Sequence, residues 1–189
     1  SVCGINAGDQ IPVKDLLYGL MLVSGNDAAN ALAEYYSGSV EEFAKVMNEE
    51  ALALGATNSH FVNANGLPDD DHYTTVYDMY LIFQEAVKSQ AFVDIIKTKS
   101  IDVTYQDANG NDVNKTWNNT NHYLTGETEA PEGITVIGGK TGTTNAAGYC
   151  LVLYSNNIKG EDIISIVYKS DGRSNMYLLM NQILSTFAN

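Results

Sequence analysis

The chain has 189 residues, of which 44% are apolar and 17% are charged, a composition typical of a globular protein and not of a disordered one. Acidic residues outnumber basic residues 23 to 10, and the net charge of −13 argues against nucleic-acid and anionic-membrane partners, because so few scattered cations cannot follow a phosphate backbone. No apolar run approaches the roughly 20 residues that cross a bilayer. The polar start Ser1–Gly4 does not have the pattern of a signal peptide.

The first half of the sequence predicts helices. Between Pro12 and Val23 the apolar residues recur with the 3.6-residue period of a helix. Ser39 and Glu42 have the spacing of a capping box, which indicates a helix start at Ser39, and Gly55 is suited to end that helix. The predicted helices cover Pro12–Val23, Asp27–Tyr36, the stretch from Ser39 to Gly55, a stretch opened by Thr75, and Ala91–Ile96.

The second half predicts strands. Ile101–Tyr105 alternates apolar and polar residues, and Val113–Trp117 can pair with it across the turn-forming segment Asp107–Asp112. The strand Asp162–Tyr168 is nearly all apolar, so we expect it at the centre of a sheet. Helices followed by a small sheet and a terminal helix indicate an α+β fold of two lobes with a cleft between them. The other predicted elements are the strands Ile134–Ile137 and Gly148–Tyr154 and the helix Met176–Phe187.

Several residues that bind metals or transfer protons occur without a recognisable pattern. Cys3 and Cys150 form neither a disulfide framework nor a metal-ligand spacing, although a bridge between them is possible. The run Asp69–His72 is a candidate cation site, but it lacks the spacing of a calcium loop and a solvated loop is favoured. Three histidines are candidate bases, none in a triad setting, and solvated loop positions are favoured for them: His60, His72 and His122.

The string Gly138–Thr144 contains one lysine between glycines and threonines. A phosphate-binding P-loop needs a glycine six residues before the lysine, where this chain has Ile134, and it must lead into a helix, whereas a strand follows here. Two interpretations stay open. The string is either a glycine-rich strand end or an edge strand whose lysine and hydroxyls suit a substrate ending in a carboxylate.

A second string, Ser24-Gly25-Asn26, is ordinary helix capping when taken alone. Together with Lys140-Thr141-Gly142, it resembles the second and third motifs of penicillin-recognising serine enzymes. From about Gly8 to Ser170 the chain is similar to the D-alanyl-D-alanine carboxypeptidases among the low-molecular-mass penicillin-binding proteins. The strings that carry this resemblance, in chain order, are Ser24–Ala29, Leu54–Asn58, Asn119–Asn121, Gly139–Gly142 and Ala147–Cys150.

The resemblance implies a β-lactamase/transpeptidase-like fold and a single partial domain over residues 1–189. Its helical lobe covers about 11–100, its hairpin about 100–118, and its sheet and terminal helix about 131–189. The chain departs from the family pattern at the nucleophile. The family carries a Ser-x-x-Lys motif well before Ser-Gly-Asn, and no serine or threonine of this sequence has a lysine three positions on. We therefore expect the first segment, with its strands, nucleophile and general base, to be missing.

The resemblance assigns catalytic roles to Ser24, Asn26 and Lys140. Ser24 would relay a proton between the base and the leaving amine, and Asn26 would bind a substrate amide. Lys140 would attract the terminal carboxylate of the substrate. We expect Lys140 on an edge strand that faces the Ser24 turn, with the Ser24 hydroxyl and the Lys140 ammonium within about 5 Å of each other.

Substrate binding is implied for Thr141, Gly142 and Thr143. The two threonine hydroxyls would contact the substrate carboxylate, and the backbone N–H of Thr143 would be one of two oxyanion-hole donors. The resemblance implies no metal and no other cofactor.

The implied activity is removal of the terminal D-alanine from peptidoglycan stem peptides through an acyl-serine, outside the cytoplasm of a bacterium, with β-lactams acylating the same serine. We expect this chain alone to be inactive and to form no stable penicillin adduct. The alternatives are a non-catalytic peptidoglycan- or penicillin-binding module and a serine β-lactamase. The β-lactamase is disfavoured because the sequence has no Glu-x-x-x-Asn of the class A type.

A strand-mediated contact is also expected. If the missing strands lie beside Ile163–Tyr168, as the resemblance implies, that strand becomes an apolar edge without a charge or proline to blunt it. We expect it to pair with a second copy of the chain, or with a separate chain that carries the missing segment.

Overall fold

A computed structural model describes residues 1–188 of the chain. Its first half is helical, as the sequence predicts, and side-chain capping marks where two of the longer helices begin. The Ser39 hydroxyl accepts the Glu42 N–H at 3.1 Å, and the Thr75 hydroxyl accepts the Asp78 N–H at 3.0 Å. The helices are α1 (Val13–Tyr18), which continues as a π-helical turn (Gly19–Val23), α2 (Asn26–Ser37), α3 (Val40–Ala53), α4 (Val76–Ala86) and α5 (Gln90–Ile96).

The second half forms two antiparallel sheets. Strands β1 and β2 make the predicted hairpin, with Tyr105 opposite Val113, and three later strands form a sheet of order β3-β4-β5. A short helix that the sequence did not predict, α6, lies between the sheets. The elements are β1 (Ser100–Gln106), β2 (Asp112–Asn118), α6 (His122–Thr125), β3 (Thr135–Thr144), β4 (Gly148–Asn156), β5 (Asp162–Ser170) and α7 (Arg173–Phe187).

The central position predicted for Asp162–Tyr168 was wrong, and the edge position that the resemblance implied for this strand is confirmed among residues 1–188. Within residues 1–188, β5 pairs only with β4 and lies at an edge, so the central strand is β4. The apolar character of β5 comes instead from packing on both of its faces, because α7 and α4 both contact it. Strand β3 extends beyond the predicted Ile134–Ile137, because the flanking glycines continue the pairing with β4 instead of ending it, and it includes Lys140, as was expected of an edge strand.

The core is divided by the β3–β5 sheet. Leu151 and Leu153 point to one face and pack against Met180 and Leu184 of α7. Val152, between them, points to the opposite face and packs under α4 and α5. A third cluster joins the first helices to the hairpin through the buried residues Leu22, Ala28, Val103 and Trp117. This packing holds the Ser24 turn and strand β3 against each other.

The cysteines and the helix lengths were also subjects of sequence predictions. Among the described residues, Cys3 and Cys150 are free thiols, so the bridge that the sequence left possible is not formed. Every helix in the described part of the chain is too short or too polar to cross a bilayer.

Three glycines of β3 have different surroundings. A Cβ on Gly138 would lie 2.6 Å from the Ile96 carbonyl oxygen, and a Cβ on Gly139 would lie 2.3 Å from the Val152 carbonyl oxygen. These two glycines therefore allow the strand to pack against α5 and β4. A Cβ on Gly142 would meet no atom of the described residues within 4 Å. Gly142 is thus the one of the three that leaves open space beside the strand.

This difference gives a prediction about stability. We expect Gly139→Ala to lower the free energy of unfolding by about 2–3 kcal/mol, because the clash is with backbone that cannot move aside. The matched variant Gly142→Ala should change it by less than about 0.5 kcal/mol. Urea unfolding of both variants measures the difference, and equal effects would show that the close contacts at Gly139 are unimportant.

Candidate active site

The Ser24–Asn26 turn lies between the π-helical turn and α2. Ser24 has φ 58° and ψ 43°, the left-handed conformation that ends the π-helical turn. The Gly25 N–H donates to the Gly19 carbonyl at 3.2 Å, and the Asn26 N–H donates to the Ser1 carbonyl at 2.9 Å. These hydrogen bonds direct the Ser24 hydroxyl away from the helices and towards the sheet.

Strand β3 brings Lys140 to this turn. The Lys140 ammonium donates hydrogen bonds to the Ser24 hydroxyl and to the Thr141 carbonyl. The predicted proximity of Ser24 and Lys140 is therefore confirmed, as is the edge position of the strand that carries Lys140. Removal of the ammonium from water lowers the pKa of Lys140 from its ordinary 10.5 to about 8. At pH 7 the side chain is still mostly a cation.

A cleft of about 300 Å³ opens over this contact. One wall is the turn, a second is β3, and a third is the loop around Asn65, whose amide donates to the Asn30 side chain at 3.1 Å. The Thr120 and Thr141 hydroxyls share a hydrogen bond of 2.6 Å and join the segment before α6 to the same wall. The cleft brings together all six residues that the sequence analysis selected: Ser24, Asn26, Lys140, Thr141, Gly142 and Thr143.

Sequence analysis missed Arg173, which also lines the cleft. Arg173 is the first residue of α7, which follows the glycine cap Gly172 and has no acidic residue in its first turn. A cation at the positive end of a helix dipole is unfavourable unless an anion binds there. The available signal was that Arg173 is the only arginine in the sequence of a strongly acidic chain and lies three residues after the end of a strand.

Among residues 1–188, none of the three histidines lines this cleft. His60 Nδ1 is 2.6 Å from the Asp71 carbonyl oxygen, and His72 Nδ1 accepts the Val62 N–H at 3.1 Å. The His122 ring stacks on Tyr177 with a centroid distance of 4.9 Å. In the described part of the chain, no group of three or more acidic, histidine or cysteine side chains could hold a metal ion. The candidate cation site at Asp69–His72 is therefore not formed.

The arrangement is suited to bind an extended anionic peptide. Lys140 and Arg173 make the cleft positive within a chain of net charge −13, and a positive cleft in an acidic surface concentrates anions. The unpaired edge of β3 can accept an extended backbone as an additional strand. Ser24 is a poor nucleophile here, because its neighbour Lys140 is mostly protonated at pH 7 and cannot take the hydroxyl proton.

Comparison with known proteins agrees with this description. A family model described as D-alanyl-D-alanine carboxypeptidase matches residues 1–172. The chain is 38% identical over 170 residues to the D-alanyl-D-alanine carboxypeptidase of Streptomyces sp. strain K15, covering 86% of this chain and 56% of that protein. It is 37% identical over 149 residues to the D-alanyl-D-alanine carboxypeptidase DacF of Bacillus subtilis, covering 78% of this chain and 35% of that protein.

A solved structure is also similar. The crystal structure of the Streptomyces K15 DD-transpeptidase superposes with a TM-score of 0.89 and 33% sequence identity, and the match covers 98% of this chain and 71% of that one. The fold is therefore the α+β fold of the penicillin-binding DD-peptidases, as the resemblance implied. The chain spans between about one third and just over half the length of the two curated relatives.

The lowered pKa of Lys140 gives a prediction about stability. Between pH 8 and 10.5 the unfolded chain holds the Lys140 proton and the folded chain releases it, so the stability of the wild type rises with pH in this window. Lys140→Met removes the buried cation, and we expect it to raise the free energy of unfolding at pH 7 by about 1–2 kcal/mol.

Denaturant unfolding at pH 7 and pH 10 measures both effects. The advantage of Lys140→Met should shrink at pH 10, where the wild-type side chain is neutral. Lys45→Met, at an exposed position on α3, is the matched control and should change little at either pH. A Lys140→Met protein less stable than the wild type at pH 7 would contradict the prediction.

Proposed function

Because the chain belongs to the D-alanyl-D-alanine carboxypeptidase family, we propose that its cleft binds peptides ending in D-alanyl-D-alanine. It would form part of the site of a serine-type carboxypeptidase that removes the terminal D-alanine from peptidoglycan stem peptides. The observation that carries this proposal is the desolvated Lys140 ammonium, which is hydrogen-bonded to Ser24 at the base of the cleft. Peptidoglycan lies outside the cytoplasmic membrane, so the proposed site of action is extracytoplasmic.

The terminal carboxylate is proposed to lie between Lys140, Arg173 and the hydroxyls of Thr141 and Thr143. These residues all line the cleft, and the uncapped N-terminus of α7 adds its own positive potential beside Arg173. Charge-assisted hydrogen bonds to a carboxylate are about twice as strong as neutral ones. This set of donors therefore favours a free carboxylate over an amidated peptide end.

The rest of the peptide is proposed to run along β3. An extended backbone can approach Gly142 closely, because it has no side chain and, within residues 1–188, no atom beyond its chain neighbours lies within 4 Å of its Cβ position. Asn26 would bind a substrate amide, and the Thr143 N–H would be one oxyanion-hole donor. Ser24, bonded to Lys140, would relay a proton towards the leaving amine.

Hydrolysis through an acyl-serine needs an activated serine and a base. No serine of these 189 residues has the Ser-x-x-Lys spacing, so we assign substrate binding and one oxyanion donor to this chain and expect no turnover by the chain alone. Penicillins also carry a carboxylate and are proposed to compete for the same cleft. A non-catalytic binding module, which is the alternative function, would also bind the peptide without turnover. A binding experiment therefore tests the cleft that both functions share.

The test of this proposal is the binding of N-acetyl-D-Ala-D-Ala to the purified chain, followed by NMR titration. We expect shifts at Asn26 and Thr141–Thr143, no binding of N-acetyl-L-Ala-L-Ala, and about tenfold weaker binding of the D-peptide amide. Affinity should fall as the pH rises through about 8, because Lys140 then loses its charge.

Lys140→Met is the control for this pH dependence: it should bind more weakly and lose the dependence near pH 8. Equal affinity for the carboxylate and amide peptides would show that the cleft does not bind a peptide end as proposed.

We also propose that β5 pairs with β5 of a second copy of the chain. Within residues 1–188 its outer edge has no strand partner. An antiparallel pair centred between Ser165 and Ile166 would place Asp162 of each copy opposite Lys169 of the other, so the charged ends are complementary. The net charge of −13 opposes nonspecific aggregation and favours a discrete dimer.

Sedimentation velocity combined with hydrogen exchange tests the pairing. We expect a dimer at tens of micromolar, with amide protection of residues 163–168 that increases with protein concentration, because pairing satisfies edge N–H groups. A monomer at that concentration, with rapid exchange at residues 163–168, would contradict the proposal without affecting the cleft.

A further inference from the structure

The Ser24 conformation is strained. Its φ of 58° lies in the left-handed region, which is costly for a residue other than glycine and persists only where the surrounding structure enforces it. The same conformation places the hydroxyl on the Lys140 ammonium. The Gly25–Gly19 hydrogen bond at the end of the π-helical turn supports this conformation from within, and the contacts of the neighbouring residues support it from outside.

The Asp27 carboxylate accepts four backbone hydrogen bonds. Its Oδ1 accepts the N–H groups of Cys3 at 2.8 Å and Ala28 at 2.9 Å, and its Oδ2 accepts those of Gly4 at 2.8 Å and Ile5 at 3.1 Å. Burial raises the pKa of Asp27, but the four hydrogen bonds outweigh it and hold the pKa below its ordinary value. The carboxylate is thus ionised at neutral pH and ties residues 3–5 to the start of α2.

Residues 1–5, which we call the clamp segment, lie directly on the Ser24 turn. The Ser1 carbonyl accepts the Asn26 N–H, and Cys3 packs so closely that a Cβ on Gly25 would lie 2.3 Å from its sulfur. On the other side of the segment, the Lys115 ammonium of β2 donates to the carbonyls of Cys3 at 2.8 Å and Gly4 at 2.6 Å. The turn is therefore enclosed between the clamp segment and Lys140.

We propose that Asp27 is a positioning residue, which holds the clamp segment against the turn and so keeps Ser24 in the left-handed conformation with its hydroxyl on Lys140. Asp27 is not among the residues that line the cleft within 1–188. Its effect on a ligand is therefore indirect, and the proposed route is through Ser24, although Ser1 of the clamp segment and Asn26 also line the cleft. The role of the Ser24–Lys140 pair in ligand binding rests on the proposed function, whereas the conformation of Ser24 does not.

A double-mutant cycle separates positioning from a general structural role. Asp27→Asn keeps one acceptor oxygen but places an amide donor against the N–H groups of Gly4 and Ile5, which releases the clamp segment. We expect Asp27→Asn and Ser24→Ala each to weaken N-acetyl-D-Ala-D-Ala binding about tenfold, and the double variant to be no weaker than either one. Multiplied effects, about a hundredfold in the double variant, would overturn the proposal.

A measurement without ligand keeps the proposal testable if the peptide does not bind. A residue with positive φ gives a strong NMR cross-peak between its own amide and α protons, because the two are close in the left-handed conformation. We expect this cross-peak for Ser24 in the wild type and its loss in Asp27→Asn. Absence of peptide binding to the wild type would count against the proposed function alone, whereas a retained Ser24 cross-peak in Asp27→Asn would overturn the positioning role.

Two further variants complete the design. Asp107→Asn is the matched control, because Asp107 also accepts backbone N–H groups but does so in the turn of the β1–β2 hairpin. It should change neither the Ser24 cross-peak nor the affinity. Gly25→Ala would place a Cβ 2.3 Å from the Cys3 sulfur and 2.9 Å from the Asp27 Oδ1, so it displaces the clamp segment from Asp27 without altering the Asp27 charge and should abolish the cross-peak. If Asp27→Asn does not fold, a retained Ser24 cross-peak in Gly25→Ala would overturn the proposal, because the clamp segment would then be displaced without effect on Ser24.

Discussion

The hydrogen bond between the Lys140 ammonium and the Ser24 hydroxyl joins parts of the chain that are 116 residues apart. Partial burial of a lysine ammonium costs free energy unless it has hydrogen-bond acceptors, and here the acceptors are one hydroxyl from the helical half and one carbonyl from β3. The contact requires the helices, the hairpin and the sheet to meet at a single place. The cleft exists because these parts meet there.

The distribution of charge gives this meeting point its chemical character. The three ion pairs in the described part of the chain are exposed pairs three residues apart on helices or just after them, and such pairs contribute little to stability. Lys140 and Arg173, in contrast, face the cleft without an acidic partner among residues 1–188. An acidic chain with an uncompensated positive cleft attracts a small anion and repels extended polyanions.

Rigid packing surrounds the cleft. Gly138 and Gly139 allow β3 to contact α5 and β4 at distances that a side chain would prevent, and Leu151 and Leu153 fix the sheet on α7. Arg173 at the start of α7 and Lys140 on β3 are thus carried by elements that share one core. The opposite wall depends on hydrogen bonds instead, since Asp27 and the clamp segment hold the Ser24 turn.

Local signals in the sequence determined the helices, the hairpin and most of the site. Ser39 and Thr75 cap helices through bonds to residues three positions on, and the β1–β2 turn is equally local, so no distant contact is needed to predict them. The motifs at Ser24 and Lys140 identified the family and six residues of the cleft. The apolar pattern of β5 wrongly indicated a central strand, because apolar side chains do not specify the order of strands, whereas the resemblance had implied its edge position. Tertiary structure alone decided the place of Arg173 and the contacts of Asp27, which depend on how α7 packs and on bonds to residues 22–24 positions away. Such contacts form only after the chain has folded, and short-range sequence patterns therefore carry no record of them.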